Sequence, residues 1–187
     1  MIWEDNEDIR LCRCGNSRRE VQTMLNDCRE ERRPYLFLTP DMEEIHTLER
    51  ILVPVTMLEE EVYKAEICTY LARKTGAILL LLPAHDYGSH ARKNLQRIIT
   101  HITTVAQRTG EEIHYQELQA HNDSFSLTRE CIERQHEFQH QLLLLTASRE
   151  YGLDDLIFGP PERMAIRRSR VPVMLINPRA DLFSLCD

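Results

Sequence analysis

From residue 51 onward, short apolar runs alternate with longer stretches in which apolar residues recur every three or four positions. That alternation predicts strands buried in a parallel sheet and joined by amphipathic helices. Ile51, Leu52, Val53, Pro54 and Val55 predict a first strand. Val62, Ala65, Cys68 and Ala72 then share one side of a helix over 59–74, which Gly76 is placed to end. Residues 77–83 predict the second strand, and the four leucines at 79–82 suit a strand covered by helices on both faces. Ala91, Leu95, Ile98, Ile102 and Val105 make the stripe of a long helix that Ser89 can cap and Gly110 can end. Residues 113–118 predict a weaker, partly polar third strand, in which His114 and Tyr115 are edge or packing residues. A helix opens at Asp123 or Ser124 and runs to about His140, and residues 141–146 predict a buried fourth strand. After the irregular stretch 147–161, a short helix to about Arg168 leads to a last strand at 172–176, whose Pro172 fits only an edge or a strand start.

Ahead of this series, residues 17–31 predict another helix, with Val21, Met24, Leu25 and Cys28 at core spacing. The segment after it, 33–40, can be laid on 171–178 so that Pro34 falls on Pro172 and Pro40 on Pro178. Every position between the prolines is apolar or aromatic except the last. Two origins stay open: a second copy of the closing helix-strand unit, or coincidence in a short segment.

The chain has 187 residues, 42% of them hydrophobic, enough for one sizeable core with an appendage and too little for two full domains. With 30 acidic against 23 basic side chains the formal charge is -7, which offers no overall positive field to a phosphate backbone. Nucleic acid is therefore not expected as a partner. The start is acidic where a secretory leader is basic and then apolar, and no apolar run is long enough to cross a bilayer. A cytoplasmic protein without membrane contact is expected. The six cysteines match neither a zinc ribbon nor a Cys-x-x-Cys redox site, so most are expected as free thiols. Cys12 and Cys14 form the one close pair, a residue short of a chelating turn.

Five strands interleaved with four helices, together with several segments, resemble the universal stress protein family over about three quarters of the chain. The segments are 51–55 at the first strand, Gly152-Leu153-Asp154-Asp155-Leu156-Ile157-Phe158-Gly159 after the fourth, and the closing helix and strand at 162–168 and 171–176. The resemblance implies an α/β fold: a doubly wound five-stranded parallel sheet of order 3-2-1-4-5, adenine nucleotide alpha hydrolase-like, with an N-terminal helix-strand extension. It also implies a ligand crevice above strands one and four. Residues 1–47 would be the extension, 48–180 the family-like domain and 181–187 a tail.

ATP-binding members of that family carry G-x2-G-x9-G-[ST] after the fourth strand, glycines that let backbone N–H groups approach phosphates. Here Thr146 and Arg149 stand where the first two glycines would be, Gly159 keeps the third, and Pro160 replaces the Ser/Thr. Thr56 replaces the acidic residue at the end of the first strand. The crevice candidates are thus Thr56, Thr146, Ser148, Arg149 and Gly159. Arg149 is either a surface side chain filling an abandoned pocket or a cation that meets an anion, with the Ser148 hydroxyl beside it. No cofactor is expected, ATP and AMP being disfavoured.

His136-Glu137-Phe138-Gln139-His140 matches H-E-x-x-H, which in zinc proteases sets two histidines one helical turn apart with the Glu activating water. With eight histidines in an acidic chain the pattern arises easily by chance, it lies away from the carboxyl edge of the sheet, and no third ligand is marked. A metal-dependent hydrolase is the distant alternative, and no metal is expected. No G-x-S-x-G elbow, P-loop or Rossmann fingerprint occurs, and Glu59-Glu60-Glu61 reads as a helix's acidic first turn.

These observations lead to a non-catalytic binding or regulatory protein of the stress-protein type, acting through subunit or partner contacts. The alternative is a nucleotide- or small-anion-binding member with an altered pocket. The last strand of the family's domain is commonly paired with its counterpart in a second subunit, so a homodimer is expected and a protein partner remains open. Tyr35, Phe37, Val173 and Leu175 are the expected edge contacts, with Tyr35 and its neighbours covering the last strand either within one chain or by exchange between two.

Overall fold

The apolar runs are strands and the periodic stripes are helices in the computed structural model, which describes residues 8–31, 33–43, 45–108, 110, 112–147 and 160–177. The chain divides into two compact units, residues 1–46 with 142–187, and residues 47–141.

The second unit holds β3 (Arg50–Val55), a 3-10 turn (Glu59–Tyr63), α2 (Lys64–Thr75), β4 (Ile78–Pro83), α3 (Ser89–Arg108), β5 (Tyr115–Glu117), α4 (Leu127–Glu133) and α5 (Gln135–Phe138). β4 lies parallel between β3 and β5, with Leu52 opposite Leu80 and Leu80 opposite Gln116. Ile51, Leu52 and Val53 and the four leucines of β4 are buried because these strands run through the core. Ala91, Leu95, Ile98 and Ile102 form the buried stripe of α3, and Ala65, Cys68 and Ala72 that of α2. Gly76 ends α2 at φ 72, its N–H donating to the Ala72 carbonyl.

Three elements differ from expectation here, the first being the helix expected over 59–74, which opens as a 3-10 turn and is α-helical only from Lys64. β5 is only three residues long and exposed: Gln116 and Glu117 are polar, and the Tyr115 ring is only half buried. The helix expected to reach His140 is two short helices instead. Arg134 between them has φ -100 and ψ 19, and Gln139 at φ 52 closes the second in the left-handed region.

The first unit contains β1 (Arg10–Arg13), α1 (Arg18–Glu30), β2 (Tyr35–Leu38), β6 (Leu142–Thr146), α6 (Pro161–Arg168) and β7 (Val173–Ile176). Ser17 caps α1 by accepting from the Glu20 N–H at 3.2 Å, while its hydroxyl donates to the Glu20 carboxylate. Val21, Leu25 and Cys28 point into the core. The strand order is β1-β2-β7-β6. β1 runs parallel to β2 and β6 parallel to β7, but β2 and β7 are antiparallel, with Tyr35 opposite Leu175, Leu36 opposite Met174 and Phe37 opposite Val173. All four side chains named as edge contacts are buried in this one chain.

The expected sheet is thereby corrected. The α/β fold is mostly parallel, but it has seven strands among the described residues, not five, so the order 3-2-1-4-5 leaves out two of them. The physical reason is the apolar edge of β7, which is filled by β2, and β2 in turn brings β1 with it as a strand the apolar pattern did not mark.

The two left-handed helix ends generate a matched prediction. Nothing lies within 4 Å of a Cβ placed on Gly76, so Gly76→Ala should cost about 1 kcal/mol in chemical denaturation purely through its backbone angle. Gln139→Gly should shift stability the other way by roughly 0.5 kcal/mol, glycine's own chain entropy offsetting part of the gain.

Candidate functional site

In an open α/β sheet, ligands collect at the carboxyl ends of the strands, where loops replace the hydrogen-bonded ladder. In the second unit those ends are joined by a polar network. After β3, the Thr56 hydroxyl pairs with Glu61 at 3.1 Å, and Lys64 Nζ donates to the other oxygen of Glu61 and to the Pro54 carbonyl. Glu61 is 3% exposed and Lys64 1%, so a full ion pair is withdrawn from water at the strand end. Burying such a pair is tolerable because each charge has hydrogen bonds from the other and from neutral groups. The Glu59-Glu60-Glu61 run is therefore not simply a solvated first turn: its last member is buried, and Thr56 is engaged with it.

Ser124 makes a second knot. Its hydroxyl accepts from the Met57 N–H at 2.9 Å and donates to Asp86, whose other oxygen accepts the Ser124 N–H at 3.0 Å. Asn94 donates to the Met57 carbonyl, and the His85 N–H to the Asn122 carbonyl. The segments that follow β3, β4 and β5 are thus tied to one another. Beside them, Pro83, Ala84, His85, Glu117, Leu118, Gln119 and Ala120 line a cavity of about 380 Å³. The sequence did not single out Ser124, Asp86 or the Glu61–Lys64 pair. The signal available was position alone, since each falls just past a strand end.

In the first unit, Thr146 ends β6 with its hydroxyl buried and unpartnered, and the Ala147 N–H donates to the Ile176 carbonyl. Ser148, Arg149 and Gly159 lie outside the described residues. Pro160 is the N-cap of α6 and Pro161 its first residue, so two successive positions at this helix start lack an N–H. The Pro160 carbonyl accepts from the Arg163 N–H at 3.0 Å, and the side chain of Glu162 is buried in the same turn. A carboxylate there complements the helix dipole and repels an anion.

The H-E-x-x-H residues do not converge. His136 and Glu137 are exposed on α5, whereas His140 follows the left-handed Gln139 and is buried with both ring nitrogens unpartnered. Burial pushes the His140 pKa down to about 4, so the ring is neutral. Glu137 is held by Arg134, which lowers its pKa, and Arg134 also bonds Glu130 and the Gln119 carbonyl while lying 4.6 Å over the Phe138 ring. Burial alone raises the Glu130 pKa, but the backbone N–H groups of His121 and Asn122 and the Arg134 guanidinium outweigh it and hold the carboxyl below its usual range. Among the described residues no three His, Cys, Asp or Glu side chains are grouped to hold a metal. Cys12, Cys14, Cys28, Cys68 and Cys131 are buried and in no disulfide, and Cys186 lies outside the described residues. Desolvation raises the Cys12 pKa to about 11, unlike a reactive thiol. No described helix is long and apolar enough to cross a membrane.

No protein-family model matches the chain, and no curated protein gives a significant match. Solved structures do match. A universal stress protein from Archaeoglobus fulgidus DSM 4304 superposes with a TM-score of 0.65 at 16% identity, over 95% of this chain and 63% of that one. A universal stress protein in complex with cAMP gives 0.54 at 12% identity, over 71% of this chain and 99% of that one. A putative universal stress protein from Pseudomonas aeruginosa UCBPP-PA14 gives 0.54 at 13%, over 91% and 63%. The fold is that of universal stress protein structures, and at these identities the likeness concerns fold. The chain spans under two thirds of the length of the Archaeoglobus and Pseudomonas structures.

The buried ionisable groups generate two predictions. Lys64→Met, which leaves Glu61 buried without its cation, should cost about 3–5 kcal/mol in denaturant unfolding, and adding Glu61→Gln in the same chain should recover part of it. His140 binds a proton at pH 6.5 when unfolded and only at about 4 when folded. Its contribution is therefore complete above pH 6.5 and is lost as pH falls towards 4, about 2 kcal/mol by pH 5. His140→Phe should lower the acid sensitivity of the melting temperature over that window.

Proposed function

We propose that the chain is a universal-stress-type binding or regulatory protein of the cytoplasm that catalyses no reaction and acts through contacts with a protein partner, the usual ATP site of that fold having been lost. The observation that carries this reading is the start of α6. Where a phosphate would need backbone donors, Pro160 and Pro161 supply none and Glu162 places a carboxylate. The end of β3 supports it, because Thr56 is occupied by Glu61 and that carboxylate by Lys64, a network complete without a ligand.

A second reading is favoured by the cavity at the carboxyl ends of β4 and β5: a nucleotide or small anion held in an altered pocket. One structure of similar fold is of a universal stress protein in complex with cAMP. Titration calorimetry with ATP, AMP and cAMP separates the two. The first reading expects no saturable binding up to roughly millimolar ligand, whereas dissociation constants near micromolar, about 8 kcal/mol of binding, would establish the second. In the combined variant T146G/R149G/P160S, ATP affinity should rise at least about tenfold, equivalent to some 1.4 kcal/mol.

A further inference from the structure

The first unit is built on an internal two-fold relation. Its central pairing places Tyr35 opposite Leu175, Leu36 opposite Met174 and Phe37 opposite Val173. If Leu36 is made the counterpart of Met174, then Tyr35 corresponds to Val173 and Phe37 to Leu175, and the two flanking pairs exchange into each other. That is the defining property of a contact between two copies of one surface. The relation continues outward. Arg10 to Arg13 pair with β2 as Leu143 to Thr146 pair with β7, both parallel and in the same register. Even the bonds that flank the ladders correspond. Arg10 N–H donates to the Pro34 carbonyl at 2.8 Å and Leu143 N–H to the Pro172 carbonyl at 3.1 Å. At the other end, Cys14 N–H donates to the Leu38 carbonyl at 3.0 Å and Ala147 N–H to the Ile176 carbonyl at 2.8 Å. Helices α1 and α6 each precede their strand by the same interval, and Arg163 of α6 donates to Gln22 of α1 at 2.9 Å.

The halves differ in the connection from strand to helix. In the first half it is the short turn of Cys14, Gly15, Asn16 and Ser17, where the Glu20 carboxylate accepts from the Gly15 N–H at 3.3 Å. A Cβ on Gly15 would come within 2.7 Å of that carboxylate, so the chain's own acid sits against this turn at the start of α1. This half keeps the helix and the edge-pairing strand on a turn of only four residues.

We propose that β1-α1-β2 is a built-in partner: it mimics a second copy of β6-α6-β7 and occupies the β7 edge, so that the chain is a monomer whose self-association surface is masked from within. Val173, Met174, Leu175 and Ile176 are all buried by this arrangement. With β2 displaced, the same register centred on Met174 is open to β7 of another copy, and the apolar edge drives that pairing. Asn177 holds the mimic in place by donating to the carbonyls of Cys28 and Glu31 at 3.3 and 3.0 Å. The homodimer expected from the sequence would use this strand, which the structure pairs within one chain.

The test uses the full chain. Light scattering should give the mass of one chain, and a dimer that Met174→Asp dissociates would overturn the proposal. Oxidised L36C/M174C should carry its new disulfide within one chain, read by denaturing electrophoresis and peptide mass mapping, whereas a link between chains would overturn it. M174C alone should form no cross-link. M174C/L36D, with the mimic unseated, should form a disulfide-linked dimer through position 174, and a folded, uncross-linked monomer would refute the masking. Should circular dichroism show that variant unfolded, the wild-type mass and the L36C/M174C link decide the matter.

Discussion

A strand made of Val173, Met174, Leu175 and Ile176 cannot stand at the open edge of a sheet in water. Its unpaired N–H and carbonyl groups and its continuous apolar face would recruit any strand able to pair with them. In this chain the recruit is β2, and much of the first unit follows from that requirement. β2 has to be apolar on both faces, so Tyr35, Leu36 and Phe37 are all buried. It must be delivered at a fixed angle, which α1 achieves by packing against α6. It creates a new edge of its own, covered by β1, whose outward Arg10 and Arg13 are exposed charges of the kind that discourage further pairing.

Much of this organisation can be read in the amino-acid pattern because strong periodicity leaves little choice of element. Leu79 through Leu82 have nowhere to go but the middle of a sheet, and the stripe of α3 needs a helix to be buried at all. The Pro34/Pro172 correspondence located the β2/β7 partnership for the same reason: two apolar runs of equal length between prolines have one low-energy use. What stayed hidden lacks such a pattern. Arg10, Leu11, Cys12 and Arg13 hold a single buried side chain, and β1 is a strand only because β2 offers it a ladder. The apolar runs marked five strands from residue 51 onward and the proline-flanked run before them marked β2, so tertiary pairing added only β1.

The candidate site was legible to a different degree. Thr146, Arg149 and Pro160, at the positions where the resembled ATP-binding pattern would have two glycines and a hydroxyl, can be read in the chain, and in the structure Pro160 is the helix cap itself, with another proline behind it. The Glu61–Lys64 pair was not visible, because an acidic run followed by a lysine three positions on is the ordinary composition of an exposed helix. Only the 3-10 turn rotates Glu61 inward to meet Thr56 and Lys64. A local change of helix type converted a solvated charge into a buried one, and no periodicity rule reports that.

The H-E-x-x-H segment shows the same dependence of chemistry on backbone from the opposite side. Two histidines four apart share a metal only if the helix between them is unbroken, since the turn is what brings their rings to one side. Gln139 adopts φ 52, ending α5 at Phe138 and turning the chain towards β6. The first histidine is left in solvent and the second is carried into the core, where a neutral ring is the only form burial tolerates. The glutamate meanwhile is taken by Arg134, which is held by Glu130 and the Gln119 carbonyl as well. Spacing that denotes a catalytic constellation on a continuous helix thus becomes, across one left-handed residue, an exposed ion pair and a packing histidine.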